Sequence, residues 1–474
     1  PEDVSLWCRR ALVHARAENH AEVVADYTQA LEREPRRLEA LIGRAEAYSR
    51  LRNFNAAIAD YTEAIRQSPK DESLYFGRGN AYYSLGQYAR AIPDYGEVIR
   101  LSSTHLWAVG NRGRAYLFQG EPGRALTDFN RLLALDPRNI RGLVDRASAF
   151  IDLKRLDRAI ADYTTAIGIE PTPGLYHDRG NAHARSGDYE KAVADFTEAL
   201  QRSPDNVSLL LARSRAYGRL DQLEQALADL DKAVEQAADD ANIRRQRGEM
   251  YNRLGQTDEA LADFDEGVRL DPEDPLLRFH RGNLLSDRGE LDRAIADYTV
   301  AIREDDEASG AYTNRGNAHA RLGEHELALA DYAKALELDP EDALAYANRA
   351  TVYMRQDRLD DALADYTEVL RLTPDDARAH SNRGTLLARL GEYERALADL
   401  DRAVELNPRM ARAWMHRGNV HRDLNHLDQA LADFNRALEL DESLILARYE
   451  RALLLEDPQA ARADYDALLE REPN

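Results

Sequence analysis

Apolar and small residues recur along the chain at intervals of three and four positions, in stretches of about fourteen residues separated by short polar segments. This interval predicts amphipathic helices, because it places the apolar side chains on one helix face. The string Ala-Ile/Leu-Ala-Asp-Tyr/Phe recurs along the chain, for example from Ala57, Ala159, Ala294, Ala328, Ala362 and Ala430. Its spacing predicts a 34-residue repeat that contains two helices.

Fourteen repeat units fill residues 4–474 and predict a single domain. Within a unit, numbered from position 1, helix A covers about positions 1–14 and helix B about positions 17–30. The fifth unit has 33 residues, and the last has lost about three residues at its internal turn. The units begin at Val4, Leu38, Glu72, Leu106, Ile140, Pro173, Val207, Ala241, Pro275, Ser309, Ala343, Ala377, Ala411 and Ile445.

Several positions of the unit carry one type of residue almost throughout. Position 8 is always small, position 20 is almost always Ala, and position 24 is Tyr, Phe or Leu. Small residues let the two helices approach closely, and the ring fills the space beside them. Position 15 is Gly in seven units, which predicts a left-handed residue at the end of helix A. Position 32 is often Pro, which ends helix B.

This combination resembles the tetratricopeptide repeat, and the resemblance covers nearly the whole chain. It implies an all-α fold, a right-handed α-solenoid superhelix of about 28 antiparallel helices. Typical members of the family hold peptides or partner proteins on a concave groove lined by helix A, and the family is not enzymatic by itself. The resemblance therefore implies a protein- or peptide-binding scaffold or adaptor.

The composition of the chain argues against several classes of function. With 63 Lys and Arg against 85 Asp and Glu, the net charge is −22, which makes RNA binding an unlikely alternative. Cys8 is the single cysteine, so disulfides and Cys-based zinc sites are excluded. No apolar run is long enough to span a membrane, and we expect a cytoplasmic protein. No His pair has zinc-helix spacing and no Gly-rich phosphate loop occurs, so we expect no catalytic residue, metal or cofactor.

Two charged positions do not vary at all. Position 7 is Arg and position 23 is Asp in every unit, as in Arg315 with Asp331 and Arg349 with Asp365. Equal numbers in a fixed register favour a structural ladder of ion pairs, within a unit or to the next one. The alternative is that the Arg row binds an acidic ligand.

The remaining face of helix A, positions 2, 5, 6, 9, 12 and 13, is here called the helix A stripe. Over the first thirteen units it carries sixteen Arg and eight acidic residues. This excess predicts a groove that prefers extended, acidic or mixed apolar-acidic segments, although a neutral groove beside an acidic outer surface is the alternative.

Asparagines and arginines follow one another on the stripe of the later units. An Asn amide can both donate to and accept from a peptide backbone, and the row resembles the asparagine ladder of some family members. The alternative is that these residues are ordinary repeat filler. The predicted polar binding residues are Asn283, Asn314, Asn317, Arg321, Asn348, Arg355, Asn382 and Arg389.

In the third to fifth units the stripe becomes apolar. The predicted apolar binding residues are Phe76, Tyr83, Trp107 and Phe118. Aromatic residues clustered on a binding surface are candidate hot spots, unless they pack against their own neighbours instead.

Two expectations concern the chain as a whole. It begins with Pro1 rather than Met, so an alternative function is the recognition or sensor arm of a larger multidomain effector. The last unit is rich in leucine, with Leu453, Leu454, Leu455, Leu468 and Leu469. We expect this end to be covered, either by self-association with a second copy of the chain or by a further segment of a longer protein.

Overall fold

The computed structural model describes residues 4–471, and within that range it contains 28 α-helices and no strand. The all-α solenoid and its number of helices are as predicted. Residues 472–474, which the sequence assigns to the last unit, lie outside the described range. The helices are α1 Val4–Arg16, α2 His20–Arg33, α3 Leu38–Arg50, α4 Phe54–Gln67, α5 Glu72–Ser84, α6 Tyr88–Leu101, α7 Leu106–Phe118, α8 Pro122–Leu135, α9 Ile140–Asp152, α10 Leu156–Ile169, α11 Pro173–Arg185, α12 Tyr189–Arg202, α13 Val207–Arg219, α14 Leu223–Gln236, α15 Ala241–Arg253, α16 Thr257–Leu270, α17 Pro275–Asp287, α18 Leu291–Glu304, α19 Ser309–Leu322, α20 His325–Leu338, α21 Ala343–Arg355, α22 Leu359–Leu372, α23 Ala377–Arg389, α24 Tyr393–Leu406, α25 Ala411–Asp423, α26 Leu427–Leu440, α27 Ile445–Leu454 and α28 Pro458–Arg471.

Helix A ends at a left-handed residue in thirteen units. Seven of these residues are the glycines that the sequence marks at position 15, with φ between 70° and 84°. The other six are non-glycine residues with φ between 57° and 61°, and the glycine pattern alone did not reveal them. These six are Glu18, Arg52, Lys154, Asp221, Asp357 and Asn425. The turn geometry is therefore kept even where the residue type makes it strained.

Helix A begins at a polar cap in many units. The side chain at position 34 of the preceding unit accepts a hydrogen bond from a backbone N–H in the first turn, as Asp342 does from Ala345 and Asn139 from Gly142. Such caps satisfy N–H groups that have no partner within the helix. Pro at position 32 and Asp or Asn at position 34 together separate one unit from the next.

The last unit is shortened in a different place from the predicted one. Its helix A, α27, has 10 residues where most others have 13, whereas the connection Leu455–Asp457 keeps the usual three residues. Leu455 adopts an extended conformation, with φ −72° and ψ 122°, and thereby ends the helix early.

The helices form two compact blocks, α1–α14 in the N-terminal block and α15–α28 in the C-terminal block. Within each block every helix packs against the helix before it and the helix after it. Consecutive helices A also contact each other, for example α7 with α9 and α19 with α21. Neighbouring helix A stripes therefore lie side by side at these contacts.

The core of each unit is built around the ring at position 24. Tyr332 is buried, and an added Cβ on Gly316 at position 8 would lie 2.9 Å from Cε1 of its ring. Ala328 at position 20 is fully buried on the same helix as Tyr332. Small residues at positions 8 and 20 thus make room for the ring, as the sequence pattern indicates.

Candidate binding surface on the helix A stripe

The Arg–Asp ladder joins the two helices of each unit. In all fourteen units the Arg at position 7 makes an ion pair with the Asp at position 23 of the same unit. Arg315 donates from Nε to Oδ2 of Asp331 at 2.9 Å and from Nη2 to Oδ1 at 2.7 Å. Both bonds of Arg349 to Asp365 are 2.8 Å long. This hydrogen bonding raises the pKa of the Arg315 guanidinium.

The third guanidinium nitrogen connects neighbouring units. Nη1 of Arg315 donates to Oγ1 of Thr299 at 3.1 Å, and Thr299 lies at position 25 of the preceding unit. Bonds of this kind recur in both blocks, and the repeat pattern did not reveal them although position 25 is frequently Thr, Asn or Asp. The acceptors include Thr28, Thr62, Asn130, Thr164, Thr197, Asp265, Thr299, Asp401 and Asn435. The Arg row therefore makes its ion pairs and hydrogen bonds within the protein itself.

The asparagines of the stripe are hydrogen-bonded to one another and to the ring at position 24. Oδ1 of Asn283 accepts from the Tyr298 hydroxyl at 2.8 Å and from Nδ2 of Asn314 at 2.9 Å. One unit later, Oδ1 of Asn317 accepts from the Tyr332 hydroxyl at 2.7 Å. These bonds fix which way each position-9 amide points.

The same pattern continues from Asn317 to the next unit, where Nδ2 of Asn348 donates to its Oδ1 at 2.8 Å. Asn382 does not join this network in the same way, because the preceding unit carries Thr351 rather than Asn at position 9. A third copy occurs in the N-terminal block, where Asn80 accepts from both Tyr95 and Asn111. The sequence analysis did not single out that copy.

The three arginines at position 13 differ in their surroundings. Arg321 donates from Nη1 to the Ser286 carbonyl oxygen at 2.7 Å, and Nη2 of Arg389 lies 2.8 Å from Oδ1 of Asp357. Arg355 is exposed and makes no ion pair within residues 4–471. Of the three, Arg355 therefore offers its charge most freely to a ligand.

The four predicted apolar residues do not form one patch. Phe118 is 62% exposed, stacks on Tyr88 with ring centroids 5.0 Å apart, and lies 6.1 Å from the ring of Tyr83. Phe76 is half-buried and lies 4.8 Å from the His105 ring. Trp107 is 65% exposed but lies near the opposite end of α7 from Phe118.

Trp107 borders a cavity of 280 Å³ between α7, the end of α8 and the start of α9. Its lining combines apolar and charged groups: Leu106, Trp107, Gly110, Arg114, Leu132, Asp136, Asn139, Arg141 and Asp145. Nε of Arg114 lies 3.5 Å from Oδ2 of Asp145. Burial raises the pKa of Asp145, and the charges of Arg114 and Arg141 oppose that shift.

A second cavity of 290 Å³ follows further along the same block and is more polar. It is lined by Ser148, Ile151, Asp152, Tyr163, Asp178, Asn181, Ala182 and Arg185. Neither cavity was predictable from the repeat pattern. For the first, the signal was the single glycine at position 5, Gly110.

Comparison with known protein families gives matches along most of the chain. One tetratricopeptide repeat family matches residues 8–72, 44–104, 111–174, 347–400 and 382–444, which together exceed half of the chain. The chain belongs to the tetratricopeptide repeat family. Related models of the same repeat match residues 183–247, 246–274 and 309–342.

Solved structures of other tetratricopeptide repeat chains are similar to this one at low sequence identity. A chain of the APC/C hetero-tetramer Cut9–Hcn1 is 16% identical, with 96% of each chain covered and a TM-score of 0.44. YrrB, described as a TPR protein with an unusual peptide-binding site, is 26% identical over 40% of this chain and 97% of its own, with a TM-score of 0.36. A tetratricopeptide repeat protein from Parabacteroides merdae is 20% identical over 52% of this chain and 98% of its own, with a TM-score of 0.41. No curated protein matches the chain.

Membership of the tetratricopeptide repeat family supports a protein-interaction scaffold, and such repeats are typically non-catalytic. Between residues 4 and 471, no helix has the length and apolar character needed to cross a membrane. In the same range, no group of three or more His, Cys, Asp or Glu residues is arranged to hold a metal ion.

Proposed function

We propose that this chain is a scaffold or adaptor whose helix A stripe binds extended protein segments that are acidic or that mix apolar and acidic residues. Two surfaces support the proposal. One is the asparagine network of the C-terminal block, and the other is the pair of rings Tyr83 and Phe118 in the N-terminal block, whose centroids lie 6.1 Å apart. Each spans the stripes of neighbouring helices A.

The asparagine network carries the proposal. Asn283 and Asn317 at position 9 each use both acceptor sites of Oδ1 inside the protein, so their amides present Nδ2 as a donor. Asn314 and Asn348 at position 6 each donate from Nδ2 in that bond and present Oδ1 as an acceptor. The pair Asn283 and Asn314, and the pair Asn317 and Asn348, thus each offer one donor and one acceptor of fixed orientation. A peptide backbone, with one N–H and one C=O per residue, matches such a row whatever its side chains are.

The charge of the stripe supplies the acidic preference. Arg355 is exposed at the end of α21, in the same unit as Asn348. Its guanidinium can pair with a carboxylate of a segment held by the asparagines, and such exposed pairs contribute mainly to specificity and association rate. Salt should therefore weaken the interaction.

The proposal is tested with fluorescent ten-residue peptides that alternate Asp and Leu, with Lys-for-Asp peptides as controls. The double variant Asn314→Ala/Asn348→Ala should bind the acidic peptide roughly fivefold more weakly per lost hydrogen bond, for a net contribution of about 1 kcal/mol each. Arg355→Glu should weaken binding of the acidic peptide and strengthen binding of the basic peptide.

Lys232→Glu is the matched control, because it makes the same charge change on helix B of the N-terminal block, away from the stripe. Equal binding of acidic and basic peptides would contradict the acidic preference. Unchanged binding in the asparagine double variant, with its fold retained, would contradict backbone recognition.

A further inference from the structure

The cavity beside Trp107 is lined by a glycine of helix α7 at a position where every other unit carries a side chain. Gly110 occupies position 5, and no other unit has Gly there. The equivalent residues are Cys8, Ile42, Phe76, Val144, His177, Leu211, Arg245, Phe279, Thr313, Ala347, Ser381, Met415 and Tyr449. A glycine inside a helix weakens that helix relative to alanine, so its presence calls for a reason.

Packing does not supply that reason. A Cβ added to Gly110 would lie 3.5 Å from Cδ2 of Leu132, an ordinary van der Waals contact. By contrast, a Cβ on Gly113 would lie 2.6 Å from the Phe129 ring, and one on Gly142 would lie 2.9 Å from Leu132. Those two glycines are needed for close approach, whereas Gly110 leaves space that the protein does not fill.

The walls of this space are of two kinds. Leu106, Trp107 and Leu132 provide apolar surface, and Trp107 is largely exposed at the mouth. A cavity of 280 Å³ is small for a whole small-molecule ligand, since such pockets measure about 300–1,000 Å³. It is large enough for one ring, because an apolar cavity of about 150 Å³ holds a benzene molecule.

The charged residues that line the cavity differ in whether they have a partner within the protein. The carboxylate of Asp145 faces Arg114, whose Nη2 also donates to Oδ1 of Asn111. Asp136 accepts from the Arg138 backbone N–H at 3.3 Å and from Nδ2 of Asn139 at 3.0 Å, so it serves the turn before α9. Arg141 is exposed at the rim and has no ion-pair partner in the described part of the chain. Its charge acts on Asp145 without a direct ion pair and stays accessible to a ligand at the rim.

We infer that this cavity is an anchor subsite for one bulky apolar side chain of an extended peptide, with an adjacent acidic residue of that peptide paired to Arg141. This inference rests on the proposed peptide-binding function. It specifies in addition which peptide side chains the N-terminal block prefers. The occupant is a peptide because the cavity opens on the helix A stripe and combines an apolar floor with a free cation at its rim.

The test compares peptides that contain a Phe-Asp pair in an otherwise Ser-Gly sequence with peptides in which Phe is replaced by Ala or Asp by Lys. The wild-type chain should bind the Phe-Asp peptide at least tenfold more tightly than the Ala-Asp peptide. Gly110→Leu, which fills the cavity, should remove that difference, and Gly110→Ala should reduce it. Both variants should keep or raise the melting temperature because they improve the helix.

Two further variants make the result specific. Arg141→Glu should reverse the preference from Phe-Asp to Phe-Lys. Gly168→Leu is the matched control, since it makes the same change at an exposed glycine of α10, a helix B of the same block where an added Cβ meets no atom within 4 Å, and it should leave the Phe preference intact. Trp107 fluorescence should shift on adding the Phe-Asp peptide, and Trp107→Phe should abolish the shift.

The outcomes separate the subsite from the general function. If Gly110→Leu folds and binds Phe-Asp as tightly as the wild type does, the subsite is refuted, while peptide binding through the asparagines stands. If peptides bind only through Asn314 and Asn348 and none shows a Phe preference, the subsite is likewise refuted. If no peptide binds anywhere on the chain, both the subsite and the proposed function fail.

Discussion

Most arginines of the ladder make hydrogen bonds with all three guanidinium nitrogens, which explains why the residue type does not vary. In Arg315, two nitrogens donate to the Asp of the same unit and the third donates to position 25 of the preceding unit. Lys could not replace it, because a single ammonium group lacks the planar fork that these three bonds use. The ladder therefore sets the register between helices and between units at once.

Removal of one ladder arginine should cost stability out of proportion to its own bonds. In Arg315→Ala, Asp331 would remain almost fully buried without its partner, and we expect a loss of about 1–3 kcal/mol in the free energy of unfolding. Urea denaturation followed by circular dichroism measures the loss. Arg355→Ala, an exposed arginine without an ion pair, is the control and should change stability by less than about 0.5 kcal/mol.

The double variant tests whether Arg315 and Asp331 stabilise the fold through their interaction. Arg315→Ala/Asp331→Ala should cost less than the sum of the single variants, because the second substitution removes the stranded charge. Strictly additive losses would show that the pairing contributes nothing to stability.

Single residues of the binding surface were only partly predictable. Equal numbers of Arg and Asp in fixed register pointed to pairing without the structure. The orientation of Asn283 was not predictable, since it depends on whether the Tyr298 hydroxyl of the neighbouring helix reaches its amide. Phe76 and Phe118 looked equivalent in sequence, yet one is half-buried and the other exposed, because exposure depends on the helices packed alongside.

At the scale of the helix pair, the left-handed residue at position 15 keeps the turn from helix A to helix B constant. Glycine adopts this conformation without steric cost, whereas an ordinary L-residue is strained by its Cβ. Arg52, with φ 61°, is such a residue and its side chain is exposed. Backbone strain is therefore present at the six turns where position 15 is not glycine, and substitution by glycine should relieve it.

Substitution of Arg52 by glycine should stabilise the protein. We expect a gain of roughly 0.5–1 kcal/mol, the relief of left-handed strain less the added freedom of glycine in the unfolded chain. Arg52→Ala separates this effect from loss of the side chain, since it keeps the Cβ and should change little. Gly86→Ala at the equivalent position, with φ 70°, should show the opposite sign in the same urea titration. A destabilised Arg52→Gly variant would mean that the arginine side chain holds the turn.

The helix pairs themselves followed from the sequence because a 34-residue period leaves little choice of boundaries. Pro at position 32 and the left-handed residue at position 15 mark both ends of helix A. The last unit was the exception. A deletion of three residues looks the same in sequence whether it shortens a helix or a turn, and the structure places it in α27.

For the whole molecule, stacking of units decides which apolar residues stay exposed. Position 28 of helix B is buried in the preceding unit, as in Leu438 at 7% exposure, because the next helix A covers it. Leu469 holds the same position in the last unit and is 66% exposed. Leu446 and Leu453, seven residues apart on one face of α27, are 63% and 54% exposed. Exposed apolar side chains grouped on one unit favour its association with another protein surface.

We predict that two copies of the chain associate through this unit, because a second copy offers the same apolar surface and a twofold interface is self-complementary. Sedimentation velocity over a range of micromolar concentrations should show a dimer that Leu453→Glu or Leu469→Glu shifts to monomer. Leu327→Glu, which changes an exposed leucine of α20, is the control and should leave the dimer intact. A wild-type chain that stays monomeric at every concentration, or a dimer insensitive to both C-terminal substitutions, would contradict this interface. The melting temperature should rise with protein concentration for the wild type and not for the Leu453 and Leu469 variants, since only the former gains free energy from association.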